Sequence, residues 1–332
     1  MKTIHGANPE NLYRVFGIPI PENILDFSTN TNVFSWPDIS LDVERLASSY
    51  PDPECTALRE IISAREKVPM SRVLFVNGIN QAIFLLAGLF GDDAAIFQPC
   101  YTEYSRAFTN ARSIFTLGDA GKFGHVVIFN PNNPTGKFIP TLSGIISENP
   151  RTTFIIDEAY IDFLTSYEPE RLYDFPNAVI LRSLTKIFHL SGARIGYVIA
   201  DENIIDALKS RIPSWSVNAF AQELALHFLA DEEFLARTRE FYRVNTPIFM
   251  AGLREAGFDV MDSDVHYFLV SVDDDMEAIR RLLTRGIVVR HTRNFAGIEG
   301  KYIRVATRRP EENSMLILAM KENENGTVDD TA

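Results

Sequence analysis

Lys186 stands in the stretch SLTKIFHLSGARIGY, Ser183 to Tyr197, between the hydroxyls of Ser183 and Thr185 in a mild, mostly apolar run. An amine held in a dry site can bond a carbonyl carbon and move protons, because burial and nearby positive charge depress its pKa. The same lysine on a solvated strand end does no chemistry. Arg194 adds a planar charged fork suited to phosphate. In IIDEAYIDF, Asp157 follows an apolar run, where a carboxylate is costly unless paired. It either caps a following helix through backbone amides or faces a cation in a cleft. In FNPNNPTGK, prolines and a glycine fix a turn, and an asparagine side chain there can donate to a ligand oxygen. In VNGINQAIF, Gly78 marks a strand-to-helix transition. The helix amides beyond it, near Ile79 and Asn80, can hold an anion with about 0.3–1 kcal/mol.

The elements that position these residues follow from the apolar patterning. RVLFVNG, AAIFQP, SIFTL, HVVIFNP, RTTFIIDEAY and NAVILRSLTK are short apolar runs, most ending in polar residues, and are predicted strands. NQAIFLLAGLF and EYSRAFTNA are predicted helices between them. Strands buried on both faces with helices between imply an α/β fold: a mainly parallel central sheet with helices on both faces. Ligands bind such sheets beyond the carboxyl ends of the strands, where Asn77, Asn130 to Asn133, Asp157 and Ser183 to Lys186 stand.

After SWSVNAF the character changes. A long helical pattern runs from about Ala219 to Gly257, with breaks expected near Ala230–Asp231 and Pro247. HYFLVSV, IVVRHT and KYIRVAT are predicted strands, and DDMEAIRRLLTRG and RPEENSMLILAMK predicted helices. Pro310 followed by two glutamates is a helix start. This part is expected to form a smaller α+β domain. The expected divisions are an N-terminal arm, 1–35, a large domain, 36–225, a small domain, 226–320, and a disordered tail, 321–332.

Bulk properties narrow the function classes. The 332 residues carry a formal net charge of −12, which disfavours a nucleic-acid or anionic-membrane partner. Two cysteines, Cys55 and Cys100, make neither a disulfide framework nor a zinc spacing, and no metal is expected. MKTIHGANPENLYR lacks the apolar core of a signal peptide, and no run is long enough to span a membrane, so a cytoplasmic protein is expected.

Taken in order and spacing, Asn77–Gly78, Tyr101, Asn133, Asp157, Tyr160, Lys186 and Arg194 resemble the cofactor positions of fold-type I pyridoxal-phosphate enzymes, the class I/II aminotransferase family. The resemblance covers nearly the whole chain. It implies pyridoxal 5′-phosphate as cofactor, with Lys186 at the Schiff-base position and Asp157 opposite the ring nitrogen. Lys186, Asp157 and Tyr160 are the implied catalytic residues. Gly78, the amides of Ile79 and Asn80, Ser183, Thr185 and Arg194 would hold the phosphate. Tyr101 would cover the ring, and Asn133 and Tyr160 would donate to its phenolate oxygen. SSYPDPECTALRE also resembles a family stretch: its Tyr50 would reach the cofactor phosphate of a neighbouring subunit, implying a homodimer with shared sites. From the residues alone, Tyr50 is equally a turn aromatic packed on the helix after Pro53.

Within that family the chain is similar to the histidinol-phosphate aminotransferase group, which includes L-threonine O-3-phosphate decarboxylases. HGANPENLYRVFGIP, ILDFSTNTN, IPSWSVNAFAQ and VVRHTRNFAGIEGKYIRVATRRPEEN resemble the decarboxylases, the last through its Asn-Phe pair. Thr307-Arg308 stands where the aminotransferases more often have Gly-Thr. The resemblance implies decarboxylation of L-threonine O-3-phosphate to 1-amino-2-propanol phosphate, a step of cobalamin biosynthesis. The alternative is an aminotransferase acting on histidinol phosphate or a related amino acid. Either takes a phosphorylated amino-acid-type substrate. Arg304 matches the arginine that grips its acidic end; Arg290 and Arg308 add charge, and His5, Asn8 and Asn32 close over it. Arg290 and Arg308 are also readable as rim charges in weak surface ion pairs.

Overall fold

Uninterrupted aliphatic runs lay out a seven-stranded sheet. The computed structural model describes residues 8–91 and 93–324. Across the sheet the strands are Val73–Val76, Gly196–Ile199, Ala178–Ser183, Thr153–Asp157, His125–Phe129, Ala94–Phe97 and Arg112–Ile114. Val73–Val76, Ala178–Ser183 and Gly196–Ile199 are buried at every position, so both faces of the sheet are covered there. Gly196–Ile199 is antiparallel to both of its neighbours, and the remaining pairs are parallel. The sheet is therefore mixed, with one reversed strand where the sequence predicts none.

The residues divide into two compact units: 31–133 with 138–239, and 8–30 with 134–137 and 240–324. The sheet belongs to the first. On one of its faces alternate residues Val76, Phe129, Ile155, Leu181 and Val198 pack against Ala82, Ile83 and Leu86 of the helix Ile79–Phe90. The second unit carries a three-stranded antiparallel sheet, Arg290–His291, Tyr302–Ala306 and Tyr267–Ser271. Its core gathers Phe27, Phe249, Phe268, Val270, Ile279, Leu282, Ile303 and Val305.

The predicted strand IVVRHT splits in two. Ile287–Val288 pairs parallel with Leu25–Asp26, whereas Arg290–His291 pairs antiparallel with Tyr302–Ala306. The predicted helical break occurs at Asp231, which caps the next helix by accepting from the Phe234 amide at 2.9 Å. Pro247 causes no break: the helix Glu232–Glu255 runs through it. The last helix, Pro310–Glu324, extends past the expected start of the tail, and residues 325–332 lie outside the described residues. No helix among the described residues is long and apolar enough to cross a membrane.

Candidate active site

The reversed strand explains how the site assembles. Gly196 pairs with Val76 on one side and with Ser183 on the other. An antiparallel strand begins where its neighbours end, so Arg194 and Gly196 stand at the carboxyl ends that carry Gly78 and Ser183. A Cβ on Gly196 would meet Ile79 Cγ2 at 2.9 Å and the Arg182 carbonyl oxygen at 2.7 Å. Only glycine leaves room there for the start of the helix Ile79–Phe90.

Gly78 itself has φ 69° and ψ 154°, a conformation confined essentially to glycine. A Cβ on it would lie 2.5 Å from Arg194 Nη2, so the guanidinium rests against the glycine face. Arg194 Nη1 donates to the Ser191 carbonyl at 2.9 Å, and Arg194 adopts φ 63°. Ser183 Oγ and Thr185 Oγ1, both buried, lie 2.8 Å apart. Helix amides, two hydroxyls and a guanidinium stand at the same end of the sheet, and groups of these kinds can hold an anion. Gly78→Ala is expected to cost about 1–3 kcal/mol in backbone strain. It should also displace the Arg194 guanidinium and weaken cofactor binding by roughly tenfold or more, the loss of a charge-assisted contact. Urea unfolding of the apoprotein and fluorescence titration with cofactor separate the two effects.

Lys186 is half-buried in the short helix Leu184–Ile187, one turn beyond Ser183. Asp157, 5% exposed, ends the neighbouring strand, with Leu181 as its cross-strand partner. Its Oδ1 accepts from the Ala159 amide and its Oδ2 from the Tyr104 hydroxyl, each at 2.9 Å. Burial pushes the carboxyl up to about 6, against the downward pull of those two donors and of the Lys186 charge. Behind the strand ends, Arg182 Nε donates to Glu158 Oε2 at 2.5 Å, a buried pair tying the two strands together. Tyr101 precedes the helix Thr102–Ala107; burial raises its phenol, and its side chain hydrogen-bonds Asn80. Asn133 and Tyr160 are buried. Asn130 and Asn132 serve the turn itself, bonding Ile139 backbone atoms and the Pro99 carbonyl.

The aminotransferase class I and II model matches residues 116–319. The chain belongs to that family. Its fold is the fold-type I architecture. Threonine-phosphate decarboxylase of Salmonella typhimurium is 30% identical, over 96% of this chain and 95% of that protein. Histidinol-phosphate aminotransferase 2 of Ralstonia nicotianae is 28% identical, over 96% and 93%. The adenosylcobalamin biosynthesis bifunctional protein CobDQ of Leptospira interrogans is 28% identical over 97% of this chain, which spans only 41% of its length. Among solved structures, L-threonine-O-3-phosphate decarboxylase of Porphyromonas gingivalis superposes with a TM-score of 0.80, at 26% identity over 91% and 100% of the two chains. Histidinol-phosphate aminotransferase of Sinorhizobium meliloti, solved with pyridoxal-5′-phosphate, superposes at 0.84 with 20% identity over 98% and 97%. The family's cofactor is pyridoxal 5′-phosphate, and the residues fit it. The glycine cradle under Arg194, the paired hydroxyls, the buried carboxylate and the lysine are the donor set that it needs.

The residues expected at the substrate separate into two groups. Arg304 and Arg290 are buried and directly opposite each other on adjacent strands. Arg304 Nη2 donates to the Ser28 carbonyl at 2.8 Å, and Arg290 Nη2 to Asn294 Oδ1 at 2.9 Å. Arg308, Asn8 and Asn32 have partners within the protein. Arg308 pairs with Glu312 at 2.8 Å and donates to the Asp26 carbonyl at 3.0 Å. Asn8, exposed, caps the helix Pro9–Phe16. Asn32 donates through Nδ2 to the Ile187 carbonyl and to Thr238 Oγ1, and its backbone amide donates to the Lys186 carbonyl. His5 lies outside the described residues. Sequence reasoning missed Tyr104, Gly196 and the Glu158–Arg182 pair. Of these only Gly196, in RIGY directly after Arg194, leaves a local mark.

Proposed function

We propose that the protein removes CO2 from L-threonine O-3-phosphate with pyridoxal phosphate, giving 1-amino-2-propanol phosphate, a cobalamin-pathway reaction. The supporting observation is the buried arginine pair. The Asn-Phe stretch that resembles the decarboxylases is what holds its second member. Asn294 accepts from Arg290, and the Phe295 ring centroid is 5.4 Å from that guanidinium. Asn294 Nδ2 and Thr307 Oγ1 are buried beside these strands with no hydrogen-bond partner among the described residues. Two buried arginines directly opposite each other suit a substrate with two anionic ends, since planar guanidinium forks match carboxylate and phosphate. Phosphothreonine has a carboxylate and a phosphate ester; histidinol phosphate has only the latter.

Bound pyridoxal phosphate supplies an electron sink for the bond broken at Cα. Asp157 would hold the proton on the ring nitrogen, and the Gly78–Ser183–Thr185–Arg194 cup would fix the phosphate. Asn133 and Tyr160 would donate to the phenolate oxygen, and Tyr101 would cover the ring. Lys186 Nζ would be the amine that holds the cofactor's aldehyde carbon and would move a proton at the substrate Cα. Which Cα bond breaks would be set by how the residues that bind the substrate's anionic ends orient it, a sub-ångström matter of pose. Arg304 grips the carboxylate end in this reading, and Arg290 with Asn294 the other anionic end.

The deciding assay offers phosphothreonine without any keto acid. CO2 release with aminopropanol phosphate as product supports the proposal. Amino transfer from histidinol phosphate to 2-oxoglutarate, with no CO2, would replace it by the aminotransferase reading that the Ralstonia relative supports. Arg304→Gln is expected to raise KM for phosphothreonine by about 10- to 100-fold, the loss of hydrogen bonds to a charged group. An unchanged KM would remove Arg304 from the substrate. Tyr50, 81% exposed and with its ring centroid 4.5 Å from that of Trp215 at a 31° tilt, is assigned by the same reading to the cofactor phosphate of a second copy. A single-copy mass by sedimentation would defeat that assignment. A soluble cytoplasmic location belongs to the same proposal, and fractionation of the source cells tests it.

A further inference from the structure

We infer that Tyr104 is a positioning residue that commits Asp157 to the ring nitrogen of the cofactor, an inference resting on the cofactor reading of Asp157. Tyr104 is fully buried, with its ring edge-on to Phe129 at 4.8 Å and 88°. It belongs to the same buried core as Ile96, Val127 and Ile155. A buried phenol needs a partner for its O–H. Here that partner is Asp157 Oδ2, at 2.9 Å.

The consequence is directional. The Ala159 N–H fixes Oδ1 and the Tyr104 O–H fixes Oδ2, so the plane of the carboxyl group is set from two sides. Both contacts are donations to the carboxylate. A proton on Oδ2 would turn that contact into one between two hydroxyls and surrender a charge-assisted bond. Each oxygen keeps a lone pair for a further donor, such as a protonated ring nitrogen. Tyr104 thus favours the ionised carboxylate at a site where burial opposes it, and does so without touching the cofactor.

The test compares two probes on the apoprotein: pyridoxal phosphate, and the analogue in which a C–H group replaces the ring nitrogen. In Tyr104→Phe, which keeps the ring packing, affinity for pyridoxal phosphate is expected to fall about tenfold or more, while affinity for the analogue stays within about twofold. Equal weakening for both probes would make Tyr104 a packing residue only. No weakening for either would remove it altogether. Asp157→Asn is the control, expected to abolish the preference for the nitrogen-containing probe. A preference that survives Asp157→Asn overturns the cofactor reading of Asp157 and this inference with it. A preference lost in Asp157→Asn but intact in Tyr104→Phe overturns the inference alone.

Discussion

Lys186→Ala is expected to lose activity on phosphothreonine by at least about 10³-fold, since the proposed function makes Lys186 both a covalent anchor and a positioned proton carrier. The protein should still fold. Lys186 is half-buried in a short helix whose neighbours Leu184, Thr185 and Ile187 are buried and remain in place. It should also still bind cofactor, because the cup of Gly78, Ser183, Thr185 and Arg194 does not involve the amine. The bound cofactor should have lost the absorbance band that borohydride bleaches in the wild type. A small primary amine in the buffer should restore part of the activity, as it can replace proton transfer at the vacated position. Retention of most of the activity, or a bleachable band in the variant, would place the chemistry on another residue.

The same stretch shows what a sequence can reveal and what it hides. Its hydroxyl–lysine–arginine pattern is visible because the strands on either side of the site are unbroken aliphatic runs, against which polar residues stand out. Asp157 and Ser183 share one face with Ile155 and Leu181, a consequence of period-2 alternation that any reader of the strands can count. The direction of Gly196–Ile199 is different. GYVI is apolar enough for a strand, but composition carries no orientation. The chain leaves Ser183, makes one short helix and a loop at the same end of the sheet, and re-enters there, so the strand must run backwards. That reversal brings Arg194 to Gly78, residues more than a hundred positions apart.

Long-range hydrogen bonds account for the other gaps. Tyr104, in the helix Thr102–Ala107, is paired with a carboxylate at the end of the strand Thr153–Asp157, and three residues after Tyr101 it looks like any helix aromatic. Asn32, expected at the substrate from its place in DFSTNTN, joins the Lys186 helix to Thr238 through its side-chain amide, a link that the sequence does not show. Arg308 and Asn8 have local partners, Glu312 four residues on and the Asn11 amide three residues on, which sequence spacing does allow. Polar residues at strand ends stand out against the apolar runs that precede them. Those in the N-terminal segment carry capping and bridging roles that look the same until their partners are known.

Asp157→Asn is expected to make the apoprotein more stable at neutral pH while ruining it as an enzyme. Burial raises the folded-state carboxyl from 3.8 to about 6, so the native protein binds this proton more tightly than the unfolded chain does. For such a group the cost of ionisation is absent below the unfolded pKa, grows between about pH 4 and 6, and is complete above. A shift of about two units corresponds to about 3 kcal/mol of lost stability. Asparagine carries no charge, can still accept from the Ala159 amide, and escapes that cost. Its urea midpoint should exceed the wild type at pH 8, and the gap should close as the pH falls toward 4. A pH-independent gap, or a less stable variant at pH 8, would show that the ionised carboxylate is not the strained species. Cofactor-dependent turnover should fall by at least about 100-fold, because a neutral amide cannot hold a proton on the ring nitrogen. The two effects have opposite signs because the apoprotein and the cofactor make opposite demands on one position. The apolar core beside Tyr104 and Phe129 favours a neutral side chain, and a protonated pyridine favours an anion. If Asp157 faces the ring nitrogen as proposed, binding the cofactor offsets the cost of its buried charge, so cofactor binding should stabilise the wild type more than the variant.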